Sequence, residues 1–126
     1  MEKVSHDKFI IKRIKDNLLS LEIYENEIID ADDIHLIYQG YDKLVGNKEY
    51  VVAVYGNAFS SISDEARTIA AKQYASAKRK KVALISDNLA HVIIVKFFIM
   101  WNKPKTSIKV FKSEENAFKW LESIDD

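Results

Sequence analysis

Three serine hydroxyls are the polar side chains in this sequence best placed to do chemistry. Ser60, Ser61 and Ser63 follow the most buried predicted strand and lie at the start of a predicted helix. Parallel α/β sheets place binding groups there, and a phosphate on one of these hydroxyls would interact favourably with the helix dipole. The alternative is a helix cap, since Asp64 follows Ser61 by three residues in a variant of the capping box. Of the two interpretations, phosphoacceptor and cap, we favour the cap.

The three histidines show no catalytic or metal-binding pattern. His6 lies in an N-terminal tail that we expect to be loose, and His35 follows three acids at a helix start and should face solvent. His91 lies one turn into a strongly apolar predicted helix. It is interpreted as a hydrogen-bonded helix residue, with an acid–base role as the alternative. No two histidines have the spacing of metal ligands, so we expect no metal site.

Other common catalytic motifs are missing from the sequence. Its three glycines are too widely spaced for a Walker A loop or a dinucleotide fingerprint, and there is no Gly-x-Ser-x-Gly motif. There is no cysteine, which excludes disulfides, thiolate nucleophiles and cysteine-based zinc sites. We therefore expect a protein that uses no cofactor and is not an enzyme.

The most apolar stretch of the chain is Leu89–Trp101, which only His91 and Lys96 interrupt. We predict a helix here, although Val92–Val95 is β-branched enough to favour a strand on propensity alone. A helix that is apolar all round is buried by more than one partner. It is too short to cross a bilayer, which needs about 20 residues. Four large side chains of this helix, together with His91, should therefore line either an apolar pocket or a subunit interface. The four are Phe97, Phe98, Met100 and Trp101.

The overall charge excludes some classes of partner. Acidic and basic residues balance at 19 each, so the formal net charge is zero. A nucleic-acid-binding protein would show a basic excess, and stable membrane insertion is not expected either. A protein near zero net charge has little self-repulsion, which suits a homo-oligomer, with a dimer expected. The N-terminus lacks the apolar core of a signal peptide, so we expect a cytoplasmic protein.

The first half of the chain predicts a hairpin followed by a helix and a strand. Phe9–Ile14 and Leu18–Tyr24 are strand-like and are joined by a short turn containing Asp16-Asn17, so they should pair antiparallel. Asp30 or Asp32 can cap the next helix, which Gly46-Asn47 ends, and Gly40 inside it can permit a close approach to the sheet. Tyr50–Tyr55 is continuously apolar, as expected of a central strand covered on both faces.

The second half alternates helices and strands. A helix begins near Ser61–Ser63, and Lys78–Lys81 is interpreted as cations at its C-terminal end, with a basic patch as the alternative. The remaining predicted elements follow in order: a strand at Val82–Ile85, the apolar helix, a strand at Thr106–Phe111 and a final helix that opens at Ser113.

This order predicts a single α/β domain over residues 1–126. After the antiparallel hairpin come βαβ units, which build a mixed, mostly parallel sheet with right-handed crossovers.

The element order resembles the STAS domain (sulfate transporter and anti-sigma factor antagonist). It is most similar to the small anti-anti-sigma-like bacterial proteins of the STAS/SEC14 type, which are mostly uncharacterised. The local marks are Ser63–Arg67 after the central strand, and Val110-Phe111 followed by Glu115, Ala117, Trp120 and Leu121. In the anti-sigma antagonists a serine at the start of the second helix is phosphorylated within an Asp-Ser-Ser-Gly motif. The matching region here reads F-S-S-I-S-D, without that motif.

The resemblance implies a sheet of four or five strands with the helices mainly on one face. It also implies a non-enzymatic function. We expect a regulatory or scaffolding module that works through protein–protein association. The alternative is a carrier of a small apolar ligand or lipid, as in the SEC14-like relatives.

Overall fold

The structure, a computed structural model, describes residues 2–24, 27–55, 63–72, 78–86, 88 and 106–123. Within these ranges the chain forms six strands and three helices. In chain order they are β1 (Lys3–Ser5), β2 (Phe9–Lys15), β3 (Leu18–Ile23), α1 (Ala31–Val45), β4 (Tyr50–Tyr55), α2 (Asp64–Lys72), β5 (Arg79–Ile85), β6 (Ser107–Phe111) and α3 (Glu114–Glu122).

The strands form one mixed sheet whose spatial order is the chain order, β1 to β6. The pairs β1–β2 and β2–β3 are antiparallel, and β3 to β6 are parallel to one another. The predicted α/β class, with an antiparallel hairpin followed by parallel strands, is confirmed.

The sheet has one strand more than the sequence predicted, because residues of the N-terminal tail form β1. Val4 pairs with Ile11, which makes β1 an edge strand. The expectation of a loose tail around His6 is therefore wrong. The His6 imidazole stacks on the Phe9 ring with centroids 4.5 Å apart, and its Nδ1 accepts a hydrogen bond from the Lys8 backbone N–H at 3.1 Å.

Helix α1 begins and ends where the sequence signals predict. The Asp30 side chain accepts a hydrogen bond from the Asp33 N–H at 3.0 Å, and the Asp33 carboxylate accepts one from the Asp30 N–H at 3.1 Å, which completes a capping box. At the other end Gly46 has a φ of 66°, a conformation that glycine adopts without strain. Gly40 allows the predicted close approach to the sheet, since a Cβ there would lie 2.6 Å from Cδ1 of Ile11.

Two layers of apolar side chains cover the two faces of the sheet. The larger, the α1-side core, packs α1 and α2 on one face and contains Val52 and Leu84. The smaller, the α3-side core, consists of Leu18, Val51, Ala53, Ala83, Ala117 and Leu121 on the other face. Side chains of β4 alternate between the two cores, so this strand is covered on both faces as predicted. Two of the three described helices lie on one face.

Strand β5 begins three residues earlier than the sequence predicted. Lys78–Lys81 was interpreted as the end of a helix, but Arg79–Lys81 pairs with the start of β4. Arg79 lies opposite Tyr50 and Lys81 opposite Val51, so Lys80 is the extra residue of a β-bulge. Arg79 and Lys81 are buried, and neither the helix-end interpretation nor the basic-patch alternative describes them.

The predicted apolar helix, Leu89–Trp101, lies outside the described residues. Among the residues that the structure does describe, no helix has both the length and the apolar composition needed to cross a bilayer.

Candidate functional site

The carboxyl edge of the parallel strands is where the sequence predicts the serine site, and the structure describes one of the three serines. The Ser63 hydroxyl accepts a hydrogen bond from the Ala66 N–H at 3.1 Å, and the Ser63 N–H donates to the Ile29 carbonyl at 3.0 Å. Ser63 therefore caps α2 and ties it to the segment before α1. Ser60 and Ser61 lie outside the described residues, and the phosphoacceptor hypothesis stays a prediction.

The second predicted site also lies outside the described residues. It comprises His91, Phe97, Phe98, Met100 and Trp101. Whether these side chains line a pocket or a subunit interface stays a prediction.

A tyrosine–glutamate pair occupies the same carboxyl edge. Tyr55 ends β4, Glu114 begins α3, and the phenol donates a hydrogen bond to Oε1 of Glu114. Burial, the hydrogen bond to Glu114 and the nearby charges of Glu114 and Glu22 raise the pKa of Tyr55 well above its usual value. The phenol is thus a neutral hydrogen-bond donor near pH 7. Its chemistry here is to hold the start of α3 on the sheet.

Half of the second sheet face carries no described helix, because α3 packs on β4, β5 and β6. On β2 and β3 the same face presents Ile10, Lys12, Ile14 and Glu22, which we call the open sheet face. Lys12 and Glu22 are exposed, Ile10 is partly exposed and Ile14 is 49% exposed. Lys12 pairs with Ser20 and Ile10 with Glu22, so the two charged side chains are diagonal neighbours. The surface combines apolar side chains with the opposite charges of Lys12 and Glu22, and Lys3 of β1 lies opposite Lys12 on the same face.

A polar cleft lies at the opposite, amino edge, where β3, β4 and β5 begin. It has two adjoining parts of about 580 and 760 Å³, which share Asn17 and Glu49 in their linings. Exposed ion pairs cross it, with Lys15 Nζ 2.8 Å from Glu122 and Lys80 Nζ 3.0 Å from Glu49. Arg13 also lies here, and its Nη1 donates to the Leu44 carbonyl at 2.9 Å near the end of α1.

The cations of this edge compensate the negative ends of helices. Lys81, buried beneath α3, donates to the carbonyl oxygens of Trp120 at 2.9 Å and Ser123 at 2.8 Å, and to the Ser123 hydroxyl at 3.0 Å. Lys81 therefore acts as a C-terminal cap for α3, and Arg13 does the same near the end of α1. These contacts stabilise the fold.

Arg79 is a buried cation on the α1 side of the sheet. Its guanidinium donates to the Tyr38 hydroxyl and to the Thr106 hydroxyl at 3.4 Å, and lies 4.8 Å from the centre of the Tyr38 ring. Among the described residues no carboxylate pairs with it, and burial lowers the pKa of Arg79 to about 10.

The sequence interpretation missed these buried cations because four consecutive basic residues are typical of an exposed segment. The available signal was the position of the run directly before the apolar strand Val82–Ile85, which allows the strand to extend backwards. No group of three or more histidine, aspartate or glutamate side chains among the described residues could hold a metal ion.

Comparison with known proteins gives one match. The model of a family described as a domain of unknown function (DUF7793) matches residues 12–125. No curated protein matches the chain, and no solved structure matches it. The match covers the sheet from the middle of β2 onward and all three described helices, so the chain belongs to the DUF7793 family of domains of unknown function.

Proposed function

We propose that this domain is a non-enzymatic regulatory or scaffolding module that works by protein–protein association. The observation that carries the proposal is the open sheet face, where the two isoleucines of β2 are exposed or partly exposed and α3 does not cover them. Isolated exposed apolar residues are normal on a protein surface. Here Ile10 and Ile14 share one face of the sheet with Lys12 and Glu22, and a mixed patch of this kind suits a non-obligate interface.

The partner we propose is a second copy of the chain. A two-fold axis between Lys12 and Glu22 would set each residue opposite the other in the partner, so the surface is complementary to itself. The zero net charge supports the same partner, since two copies repel one another little. A cytoplasmic location belongs to the same proposal.

The apolar-ligand alternative rests on Leu89–Trp101 and stays a prediction from sequence. The clefts lined by described residues are bordered mainly by charged and polar side chains. They therefore give no support to a lipid or other apolar ligand.

The proposed interface is tested by reversing its charges. Size exclusion with light scattering should show a dimer for the native chain and at least about tenfold weaker dimerisation for K12E or E22K alone, because each variant brings like charges together. An equimolar mixture of the two variants should restore dimers, since opposite charges then face each other in both contacts. K43E, on the exposed side of α1, is the matched control and should remain dimeric.

Two outcomes would count against the proposal. A native chain that stays monomeric at high concentration would remove the second copy as the partner. If K12E and E22K each still form dimers as tight as those of the native chain, and their mixture dimerises no better than either variant alone, the interface lies elsewhere.

A further inference from the structure

Helix α3 is attached to the sheet differently from α1. Within the described residues the α1-side core includes large buried side chains such as Phe9, Ile11 and Tyr41. Three of the six buried residues of the α3-side core are alanines, and larger neighbours such as Phe118 and Trp120 are only partly buried there. Burial of apolar surface is the main attraction between layers, so less of it holds α3 in place.

Polar contacts hold both ends of α3. At its start Glu114 accepts the hydrogen bond from the Tyr55 hydroxyl. At its end Lys81 donates to the Trp120 and Ser123 carbonyls, and Lys15 pairs with Glu122 at 2.8 Å. Such contacts have water as a ready substitute once the helix lifts, which makes them easier to exchange than buried apolar contacts.

One buried group is left unsatisfied while α3 is docked. The indole N–H of Trp120 is buried and has no hydrogen-bond acceptor among the residues that the structure describes. A buried donor without an acceptor opposes the closed state, because the same N–H is hydrated when the helix is free. The connection to β6 consists of Lys112 and Ser113, so α3 can move without disturbing the strand order.

From these contacts we propose that α3 is a cover that opens and closes in the native protein. In the open state the sheet exposes Leu18, Val51, Ala53 and Ala83 beside the open sheet face. A partner bound across the whole second face would then compete with α3. That competition rests on the proposed function, whereas the opening itself does not.

Native-state hydrogen exchange on the intact chain tests the opening. The amides of α3 should exchange at least about tenfold faster than the interior amides of α1 and β4, through an opening that does not require global unfolding. The K81M variant removes the charge-assisted hydrogen bonds at the helix end and should speed α3 exchange about tenfold more. The K80M variant is the matched control, because Lys80 pairs with Glu49 rather than with α3.

The exchange of α1 and β4 shows whether each variant is folded. If K81M unfolds as a whole, Y55F loosens the other end of the helix and should speed α3 exchange instead. The proposal is overturned if α3 in the native chain exchanges as slowly as α1, or if neither K81M nor Y55F changes it selectively. Because exchange can be followed in the monomer, this outcome is independent of the dimer experiment.

Discussion

The contact between Lys8 and Asp33 joins the start of β2 to the first turn of α1. Lys8 Nζ lies 2.7 Å from Oδ2 of Asp33 and 3.0 Å from the Ile28 carbonyl. Burial is the largest influence on the Asp33 carboxyl and raises its pKa. Hydrogen bonds from Lys8 and from the Asp30 N–H, with the charge of Lys8, outweigh it and lower the pKa below its usual value of 3.8. The hydrogen bond to Asp33 in turn raises the pKa of Lys8 above 10.5.

The direction of these pKa changes predicts how stability depends on pH. Asp33 has a lower pKa when folded, so its contribution is complete above pH 3.8 and is lost as pH falls through the folded pKa. Lys8 has a higher pKa when folded, so its contribution is complete below pH 10.5 and is lost as pH rises through the folded pKa. Urea unfolding between about pH 2 and 6 should therefore show a flatter acid dependence for D33N than for the native chain.

A neighbouring acid provides the control for that measurement. Asp32 is exposed in the same helical turn, and D32N should keep most of the native slope. Equal slopes for the native chain and D33N would show that the ion pair does not govern acid stability.

At the scale of elements, the packing of α1 on the sheet depends on a missing side chain. Gly40 faces Ile11, whose side chain is fully buried, and a Cβ at residue 40 would also lie 3.5 Å from Cγ1 of Val4. Glycine in a helix interior costs about 1 kcal/mol relative to alanine. The close approach of α1 to β2 and β1 offsets that cost.

We predict that G40A destabilises the native chain but does not destabilise a chain in which Ile11 is replaced by the smaller valine. Overpacking a filled core costs about 1–3 kcal/mol, which exceeds the gain in helix propensity of about 1 kcal/mol. In the I11V background the clashing methyl is gone, so G40A should be neutral or stabilising by up to about 1 kcal/mol. Urea unfolding of the four chains gives the coupling energy, and strictly additive effects would exclude this contact as the reason for Gly40.

Strand β5 shows what periodicity does not predict about an element. Its apolar half, Val82–Ile85, was predicted because a short apolar run is typical of a buried strand. Its basic half depends on partners distant in sequence, since Lys81 is held by the end of α3 and Arg79 by Tyr38 and Thr106. The bulge at Lys80 turns the two cations to opposite faces, and no local pattern marks a bulge.

For the whole molecule, the sequence predicts the class and order of elements well and the surfaces poorly. Caps such as Asp30 and Ser113, and the apolar runs of β4 and β5, are local signals that act over a few residues. The short strand β1 has little pattern of its own, because Val4 is the only apolar residue in it. Long-range packing likewise determines which half of the second face is covered by α3. The open sheet face therefore could not be predicted from the sequence.

The edge position of β1 leads to a prediction about truncation. The family match begins at residue 12, so a chain lacking residues 1–6 should keep the α/β fold by circular dichroism. It should also aggregate more readily in light scattering, because β2, with its Phe9-Ile10-Ile11 run, becomes a bare edge that can pair with other chains. A truncated chain as well behaved as the intact one would mean that β1 does not protect the edge, and loss of the fold would make β1 essential to it.

The agreement between strand order and chain order affects how the protein can be made in the cell. Each new strand joins the sheet beside the one synthesised just before it, and none has to insert between two strands already in place. A nascent chain leaving the ribosome can thus extend its sheet one strand at a time, and each parallel strand is added by closing one crossover connection. Of the described helices, α3 is synthesised last, and the β4–β6 surface that it covers is complete once β6 has emerged.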